Sequence, residues 1–414
     1  MKILVLGDRI FGASSAYSKI AYETCTRLAD MGHQIAHIPV GRSNRMGNLP
    51  SGKVFIYTSG NDPFAEDVAL NHYVDFKADM LVTVKEPWCF NHIFQTAMNF
   101  VPMAIIDHAP ISGAMLARLR TPFKVIAISR FGQRELKRNK IDSFYIPHGV
   151  RTDIYKPLED KGRCKKLWFM EPDDFVVGIV ALNRARKMIP RMLRIYKRFL
   201  ELNPDVKAHL FLWTKVIPDI YPEETTFGVA DCGVNLLPEI MELGLGSPPN
   251  DIRWLQPSDW DRLMRLGGIP DYDPAGGWDM VKLYNMMDVH LLCSGGEGFG
   301  MTLIEAQACG VPVITTNYAG GPEQVGAGIT VPYSDYDVIA TPGQRLALAD
   351  IDKGAEALTK IYNADKQKLA RRARTFTEKY DWNLIMKNYW EPFLDECELE
   401  LFPKLMKEGG LTKW

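Results

Sequence analysis

The chain alternates short, continuous apolar runs with stretches in which apolar residues recur every three to four positions. KILVL at 2–6 is a run of the first kind, followed by the small-residue loop GDRIFGASSAYS. YSKIAYETCTRLADMG then has helical periodicity and stops at Gly32, and HQIAHIPV is the next run. Further runs are KVFIY (53–57), MLVTV (80–84), PMAIID (102–107), KVIAIS (124–129) and SFYIP (143–147). Strands that are apolar throughout are covered on both faces, so the alternation predicts a parallel sheet with helices on either side. Such a sheet takes its ligand at the C-terminal ends of the strands.

Near residue 155 the pattern breaks. YKPLEDKGRCKKLWFMEPDD is polar, holds two prolines and lacks an apolar period, which predicts a linker over 156–172. A second alternating unit opens with FVVGIVALN (175–183). It continues through HLFLWT (209–214), DIRWL (251–255), DVHLLC (288–293), VPVITT (311–316) and GITVPY (328–333). Residues 216–250 are less regular, with one short helix expected at LPEIMELG, and helical stretches close the chain beyond 350. The expected fold is α/β, two doubly wound Rossmann-like domains facing a central cleft, with domain 1–155 before the linker and domain 173–385 after it. A small molecule fits such a cleft.

Composition narrows the class. Of 414 residues, 46% are hydrophobic and 24% charged, as in ordinary water-soluble domains, and the net charge of −1 lacks the basic excess of nucleic-acid-binding proteins. Charge is uneven: residues 1–155 hold 18 Lys and Arg against 13 Asp and Glu, concentrated in Arg118–Lys140. That stretch reads either as a solvated helix face or as a surface for anionic substrates or lipid headgroups. The cysteines (25, 89, 164, 232, 293, 309 and 397) are scattered without a Cys-x-x-Cys, which fits a reducing cytosol and provides no metal or disulfide framework. The start, MKILVLGDRI, has too short an apolar core for a signal peptide, and no run approaches the ~18–20 apolar residues of a membrane span. A cytoplasmic protein is expected, any membrane contact being peripheral.

The chemistry concentrates in SGGEGFGMTLIEAQACGVPVIT, Ser294–Thr315. DVHLLC ends as a strand, SGGEGFG is a loop, and MTLIEAQAC reads as a helix burying Met301, Leu303, Ile304 and Ala308. Gly310 suits the position that ends a helix, and Pro312 cannot continue one. The helix start offers free amides and a positive dipole to an anion, and Gly295, Gly296, Gly298 and Gly300 let the backbone approach it. Thr302 adds a hydroxyl. Glu297 and Glu305 lie eight positions apart; on one helix they would stand about 12 Å and roughly 80° apart, too far for a shared proton. Glu297 moreover precedes the helix. The pair suits the two ends of an extended ligand with phosphates between them, such as a nucleoside diphosphate sugar. The plainer alternative is a surface-loop Glu297 and a solvent-facing Glu305.

SGGEGFGMTLIEAQACGVPVITTNYAG resembles the E-x7-E region of GT-B glycosyltransferases of family 4, or group 1, with the glycine loop, both glutamates and the EA-x-A-x-G-x-PVI run in register. VIAISRFGQRELKRNKIDSFYIPHGVRTDIYKP (125–157), VVGIVALNRARKMIPRMLRIYKRF, LYNMMDVHLLCS and FTEKYDWNLIMKNYWEPF are similar to other parts of that family, so the resemblance covers nearly the whole chain. It implies a GT-B fold with the acceptor on the first domain, the nucleotide sugar on the second, and a C-terminal helix over 386–414 crossing back toward the first. It implies sugar transfer from a nucleotide-diphosphate sugar, UDP- or GDP-linked, to an unidentified glycan, lipid-linked or protein acceptor. Retention of anomeric configuration is implied, without metal or cofactor, through a front-face displacement in which the departing phosphate helps deprotonate the acceptor.

Site roles follow from the resemblance. Glu297 lies at the donor sugar and Glu305 at the ribose hydroxyls, and the backbone of Gly298, Phe299, Gly300, Met301 and Thr302 meets the phosphates. Lys187 matches the family lysine that neutralises the leaving diphosphate, a charge that the departing group requires. The usual arginine five positions earlier is Leu182 here, leaving Arg186 or Arg184 as its substitute. His108 corresponds to a histidine near the donor sugar, with Asp107 beside it. Gly12 matches the family glycine loop, although Ala13, Ser14, Ser15 and Ala16 stand where more glycine is usual. Leu255, with Gln256, lies where the nucleobase is read.

Other classes fit less well. A metal-binding Asp-x-Asp, as in GT-A enzymes, occurs at 259–261, 271–273 and 335–337, but only the last follows an apolar run, and far from the helix-start site. GDRIFG lacks the G-x-G-x-x-G of nicotinamide enzymes. The GT-B-like epimerases share the architecture without usually carrying the glutamate block. The remaining alternative is a module that holds a nucleotide sugar without transferring it.

Overall fold

The computed structural model describes residues 1–403 apart from 11–14, 42, 92, 94–97, 219–232, 247–251, 257–278 and 340–342. The chain divides into two units. One holds Met1–Ile106, Ile111–Gly149 and the segment from Trp382 on; the other holds Asp107–Pro110 and Val150–Asp381.

The first unit is built on strands β1 (Lys2–Asp8), β2 (Gln34–Val40), β3 (Gly47–Asn48), β4 (Val54–Ile56), β5 (Met80–Val84), β6 (Phe100–Ala104), β7 (Ile126–Ala127) and β8 (Phe144–Tyr145). Their order is β3-β4-β2-β1-β5-β6-β7-β8, parallel except for the β3–β4 pair. Five successive residues of β1 and all of β5 are buried, because helices cover both faces. Leu4, Leu6, Ile38, Leu81, Phe90 and Phe100 form one core, and Ile106, Met115, Val125 and Leu136 belong to a second. Helix Ala16–Asp30 starts at Ser15, whose hydroxyl accepts from the Ser18 amide.

The closing helices belong to this unit. Tyr389 meets Tyr145 edge-on at 5.5 Å, and Phe393 meets Phe144 at 5.1 Å. Part of the basic stretch 118–140 is committed internally. Lys124 pairs with Glu396 and Glu400, Arg118 donates to Asn91 Oδ1, the Arg130 guanidinium sits 3.7 Å from the Tyr145 ring centre, and Arg138 pairs with Glu135.

The unit boundaries differ from those read in the sequence. They fall after Gly149 and after Asp381, instead of at 155 and 385. The expected linker 156–172 contains a helix, Lys161–Lys166, capped by Asp160. Its polarity misleads because a cation is used inside: the buried Lys165 ammonium donates to Pro172 O (3.2 Å), Asp174 O (2.7 Å) and Asp288 Oδ2 (2.8 Å). A lysine with three acceptors can be buried where a lone one cannot.

The second unit carries β9 (Phe175–Val180), β10 (Ala208–Trp213), β11 (Ile252–Trp254), β12 (Val289–Leu292), β13 (Val313–Thr316) and β14 (Gly328–Val331) in the order β11-β10-β9-β12-β13-β14. All its pairs are parallel. The chain winds outward from β9 to β11, then from β12 to β14 in the opposite direction. The sense therefore reverses between β9 and β12, where a doubly wound sheet opens its ligand crevice.

An antiparallel hairpin, β15 (Tyr333–Ile339) and β16 (Gln344–Ala349), was not foreseen from the sequence. Its period-two pattern is interrupted by a register shift between Tyr333 and Asp335, so alternation could not reveal it. The hairpin is joined to the glycine loop: the Ala347 amide donates to Gly295 O at 2.8 Å.

Candidate functional site

Two loops meet at the reversal point of the second sheet. The first leaves β9 and enters a 3-10 turn, Ala185–Lys187, before helix Ile189–Leu202. The second leaves β12 as Cys293–Gly300 and enters helix Met301–Ala308. They are stitched together by the Gly295 amide donating to Arg186 O at 2.8 Å. Gly296 packs so tightly that a Cβ there would overlap the Asp107 carbonyl oxygen.

Helix Met301–Ala308 begins at Gly300, whose φ of 93° is left-handed and which supplies no side-chain cap. A helix start without a side-chain cap leaves amide donors for a ligand. Of the positions expected to be buried on this helix, Leu303, Ile304 and Ala308 are; Met301 is half-buried. Thr302 Oγ1 lies 3.2 Å from His290 Nε2, so its hydroxyl already has a neighbour. Phe299 is buried edge-on to Tyr380 at 5.7 Å.

Glu297 lies in the loop and is buried. Its carboxylate accepts from Lys187 Nζ at 2.6 Å, with Arg186 Nη1 at 4.0 Å. Burial alone would raise its pKa. The Lys187 and Arg186 charges, with hydrogen bonds from Lys187 and Ser294, outweigh burial and hold it below the ordinary glutamate value. Glu297 is therefore ionised at neutral pH and is not poised as a general acid. Its backbone is held too, the Gly320 amide donating to Glu297 O at 2.8 Å.

Glu305 sits within the helix and is also buried, which rules out a solvent-facing carboxylate. Tyr284 donates its hydroxyl to Glu305 Oε2 at 2.7 Å. The two glutamates thus occupy different elements with different partners.

His108 belongs by its contacts to this unit and is fully buried. Its Nδ1 lies 2.8 Å from Asp107 Oδ1. Burial pushes the Asp107 carboxyl up, but the His108 hydrogen bond, the His108 charge and the Arg186 charge together bring it below its ordinary value. Gln344 of β16 donates to the same carboxylate, 3.0 Å to Oδ1 and 3.3 Å to Oδ2. Tyr318 OH accepts from the Ala109 amide at 3.0 Å and donates to Arg345 O at 3.2 Å. Gln344 and Tyr318 were missed in the sequence because they come from an unforeseen hairpin and a short loop, and no local motif marks them.

Leu255 is buried just after the edge strand β11, which β10 separates from β9. Leu182, where an arginine was expected, is 68% exposed, while Arg186 approaches both Glu297 and Gly296 O, the latter at 3.3 Å. Gly12 and the Asp-x-Asp triplets at 259–261 and 271–273 lie outside the described residues. Asp335 and Asp337 stand exposed on β15.

Comparison with known proteins agrees with this architecture. Sucrose-phosphate synthase from Thermosynechococcus elongatus superposes with a TM-score of 0.68 at 15% identity, covering 96% of this chain and 99% of that one. HepE of Anabaena, solved with UDP and glucose, superposes with a TM-score of 0.63 at 17% identity, covering 95% of this chain and 99% of that one. The fold is GT-B.

Residues 276–341, which include Glu297, Glu305 and the helix between Met301 and Ala308, match the family described as glycosyl transferases group 1. That segment is similar to the group, and the chain as a whole has the GT-B fold. It is 25% identical over 185 residues to the D-inositol 3-phosphate glycosyltransferase of Actinosynnema mirum, covering 45% of this chain and 38% of the relative. It is 42% identical over 123 residues to the capsular polysaccharide biosynthesis glycosyltransferase CapM of Staphylococcus aureus, covering 29% of this chain and 30% of the relative. The chain thus spans about a third of the length of these curated relatives.

Proposed function

We propose that this protein transfers a sugar from a nucleoside diphosphate sugar to an acceptor, with retention of anomeric configuration and without a metal. The observation that carries the reading is the Lys187–Glu297 pair, 2.6 Å apart at the sheet's reversal point, beside a helix start with no side-chain cap. Cation, carboxylate and the amides of a helix start without a side-chain cap are what a diphosphate sugar needs: charge and amides for the phosphates, an ionised acceptor for sugar hydroxyls. UDP-sugars are the first choice of donor, since HepE was solved with UDP-glucose.

In this reading the helix-start amides from Phe299 to Thr302 hold the diphosphate, and Glu305, steadied by Tyr284, anchors the ribose. Glu297 accepts from donor-sugar hydroxyls. The bond between the anomeric carbon and the phosphate oxygen breaks, its electron pair leaving with the diphosphate, and Lys187 and Arg186 neutralise the added charge. The acceptor oxygen bonds to the same face of the anomeric carbon, and its proton passes to the departing phosphate. No separate base is needed. The acceptor is a glycan, a lipid-linked sugar or a protein. Exposed Arg120, Lys137 and Lys140 of the 118–140 stretch would suit an anionic lipid surface; among the described residues no helix is long and apolar enough to cross a membrane.

The test begins with thermal shifts in UDP-, GDP- and ADP-sugars, where a true donor raises the melting temperature with concentration. Turnover of that donor is then measured in wild type and Glu297→Ala. Loss of turnover with nucleotide binding retained supports transfer; unchanged turnover sinks the site assignment. A protein that binds the donor but never turns it over, even with acceptor extracts, would be the non-catalytic module instead.

A further inference from the structure

The hairpin of β15 and β16 gathers three tyrosines beside the glycine loop. Along a regular strand, residues 333 and 336 would point to opposite faces. In β15, however, the two steps from Tyr333 to Asp335 oppose the single step from Ala349 to Leu348 in β16. The extra residue brings Tyr333 and Tyr336 to one face, as bulges do when they re-aim a side chain. Their ring centres lie 4.9 Å apart, and the Tyr336 hydroxyl donates to that of Tyr333 at 2.7 Å. Tyr318, from the loop after β13, meets them edge-on at 5.6 and 5.8 Å. Its own hydroxyl accepts from the Ala109 amide and donates to Arg345 O, so the cluster is held in place from behind.

The same face continues with Val338, two residues beyond Tyr336, and with Arg345, directly opposite Val338. Tyr333, Tyr336 and Val338 are 36%, 38% and 65% exposed. Arg345 is exposed as well, and among the described residues its guanidinium has no acceptor. Burial pushes the Tyr318 hydroxyl up, and the bond with Tyr333 pushes Tyr336 up to about 12. The Arg345 charge opposes both rises, which places it near the rings. The patch is tied to the candidate site: Gly320, two residues past Tyr318, donates its amide to Glu297 O, and Ala347 of β16 donates to Gly295 O.

Single exposed apolar residues are ordinary, but fixed rings beside a cation with no acceptor make a surface suited to a ligand. Tyrosines offer such a surface at little entropic cost, having only two side-chain torsions to fix. Rings edged with hydroxyls suit a ligand with an apolar face and a polar rim. A pyranose has both, C–H groups on one face and hydroxyls around it. A membrane fits less well, since it calls for a cluster of cations, and β15 brings Asp335 and Asp337 instead. One guanidinium matches one carboxylate or phosphate. We propose that Tyr333, Tyr336 and Arg345 form a subsite for an acidic glycan, the sugar stacking on the tyrosines and its acidic group meeting Arg345. That this glycan belongs to the acceptor rests on the transfer reading; that it binds does not.

The test uses pentagalacturonate for the carboxylate, pentamannosyl phosphate for the phosphate, and uncharged maltopentaose. Each is titrated into tyrosine-labelled protein and followed by the ring signals, with Tyr336→Ala identifying its own resonances. At least one acidic probe should shift the Tyr336 signals and bind about fivefold more tightly than maltopentaose. Arg345→Ala should erase that advantage. Tyr336→Ala should weaken binding of the acidic probe about tenfold, while Tyr336→Phe, which keeps the ring, should retain most of it. All three variants should keep the wild-type melting temperature and UDP affinity. Failure of both acidic probes to bind, equal binding of maltopentaose, or binding that no substitution weakens overturns the proposal. So does a dimer in sedimentation that Tyr336→Ala abolishes, which would make the face a contact between copies. Acidic glycans that bind the tyrosines in a protein that turns over no nucleotide sugar would sink the transfer reading and leave the subsite standing.

Discussion

Both units reverse their winding direction beside their first strand, yet the two reversal points differ in chemistry. In the first unit β1 ends at Asp8 and β5 is followed by Lys85 and Glu86. Lys85 pairs with Asp8 at 3.0 Å and lies 4.7 Å from the Tyr17 ring centre, while Tyr17 donates to Glu86. The adjoining helix start is satisfied by Ser15, whose hydroxyl also donates to Asp8 Oδ2 at 3.0 Å. In the second unit the helix start that follows β12, across the reversal point from β9, has Gly300 in place of a capping side chain, and two cations converge on one buried glutamate. One helix start is capped with a carboxylate close by; the other keeps its donors and stands near positive charge. An anion is therefore expected at the second and not at the first. The shared fold supplies a crevice to each, and local residues decide what enters.

Lys187→Ala attacks the contrast directly. Removing the cation proposed to meet the leaving group should lower kcat by about a hundredfold to a thousandfold. A variant with near-normal turnover would mean that Arg186 or the helix start suffices. Lys187→Arg, keeping the charge with a different shape, should recover part of the loss.

Acid tests whether burial treats the units alike. Burial lowers His37 in the first unit and His290 in the second to about 4, from 6.5. Because the folded values are depressed, the stability each neutral ring contributes is complete above the unfolded value. It is lost as pH falls from 6.5 toward 4. Each could account for up to about 3 kcal/mol. Denaturant titrations across that window should show a steady decline, with a smaller slope in His37→Phe or His290→Phe. An unchanged slope in either variant would show that its histidine does not drive the decline.

Gly300→Ala should be milder and confined to the second site. The residue's φ is +93°, and a Cβ would lie 2.9 Å from Leu303 Cδ1. A stability loss of about 1–3 kcal/mol is expected, together with weaker nucleotide binding, read by melting and by UDP titration. Smallest is Ser15→Ala, which removes the opposing cap. It should cost about 1 kcal/mol and leave UDP affinity unchanged. A change in UDP affinity there would break the distinction between the two helix starts.

Much of this was legible in the chain because it depends on neighbours in sequence. Buried parallel strands announce themselves as continuous apolar runs, and β5 begins and ends where its run does, at Met80 and Val84. The loop-to-helix transition at Gly300–Met301 could be read from glycines followed by a helical period. Other features resisted reading for equally local reasons: Lys165 looked like a linker residue because its three acceptors come from residues 172, 174 and 288.

By itself, then, the sequence determined two doubly wound units and a glycine-led helix start, since backbone period and glycine placement are properties of contiguous residues. Only the tertiary structure decided which charges face each other. Lys187 and Glu297 are 110 positions apart, and Gln344 and Asp107 are 237. No local pattern encodes such pairings; they arise because parallel strands bring the ends of distant loops together, and hydrogen-bonding demands inside the protein fix how they meet.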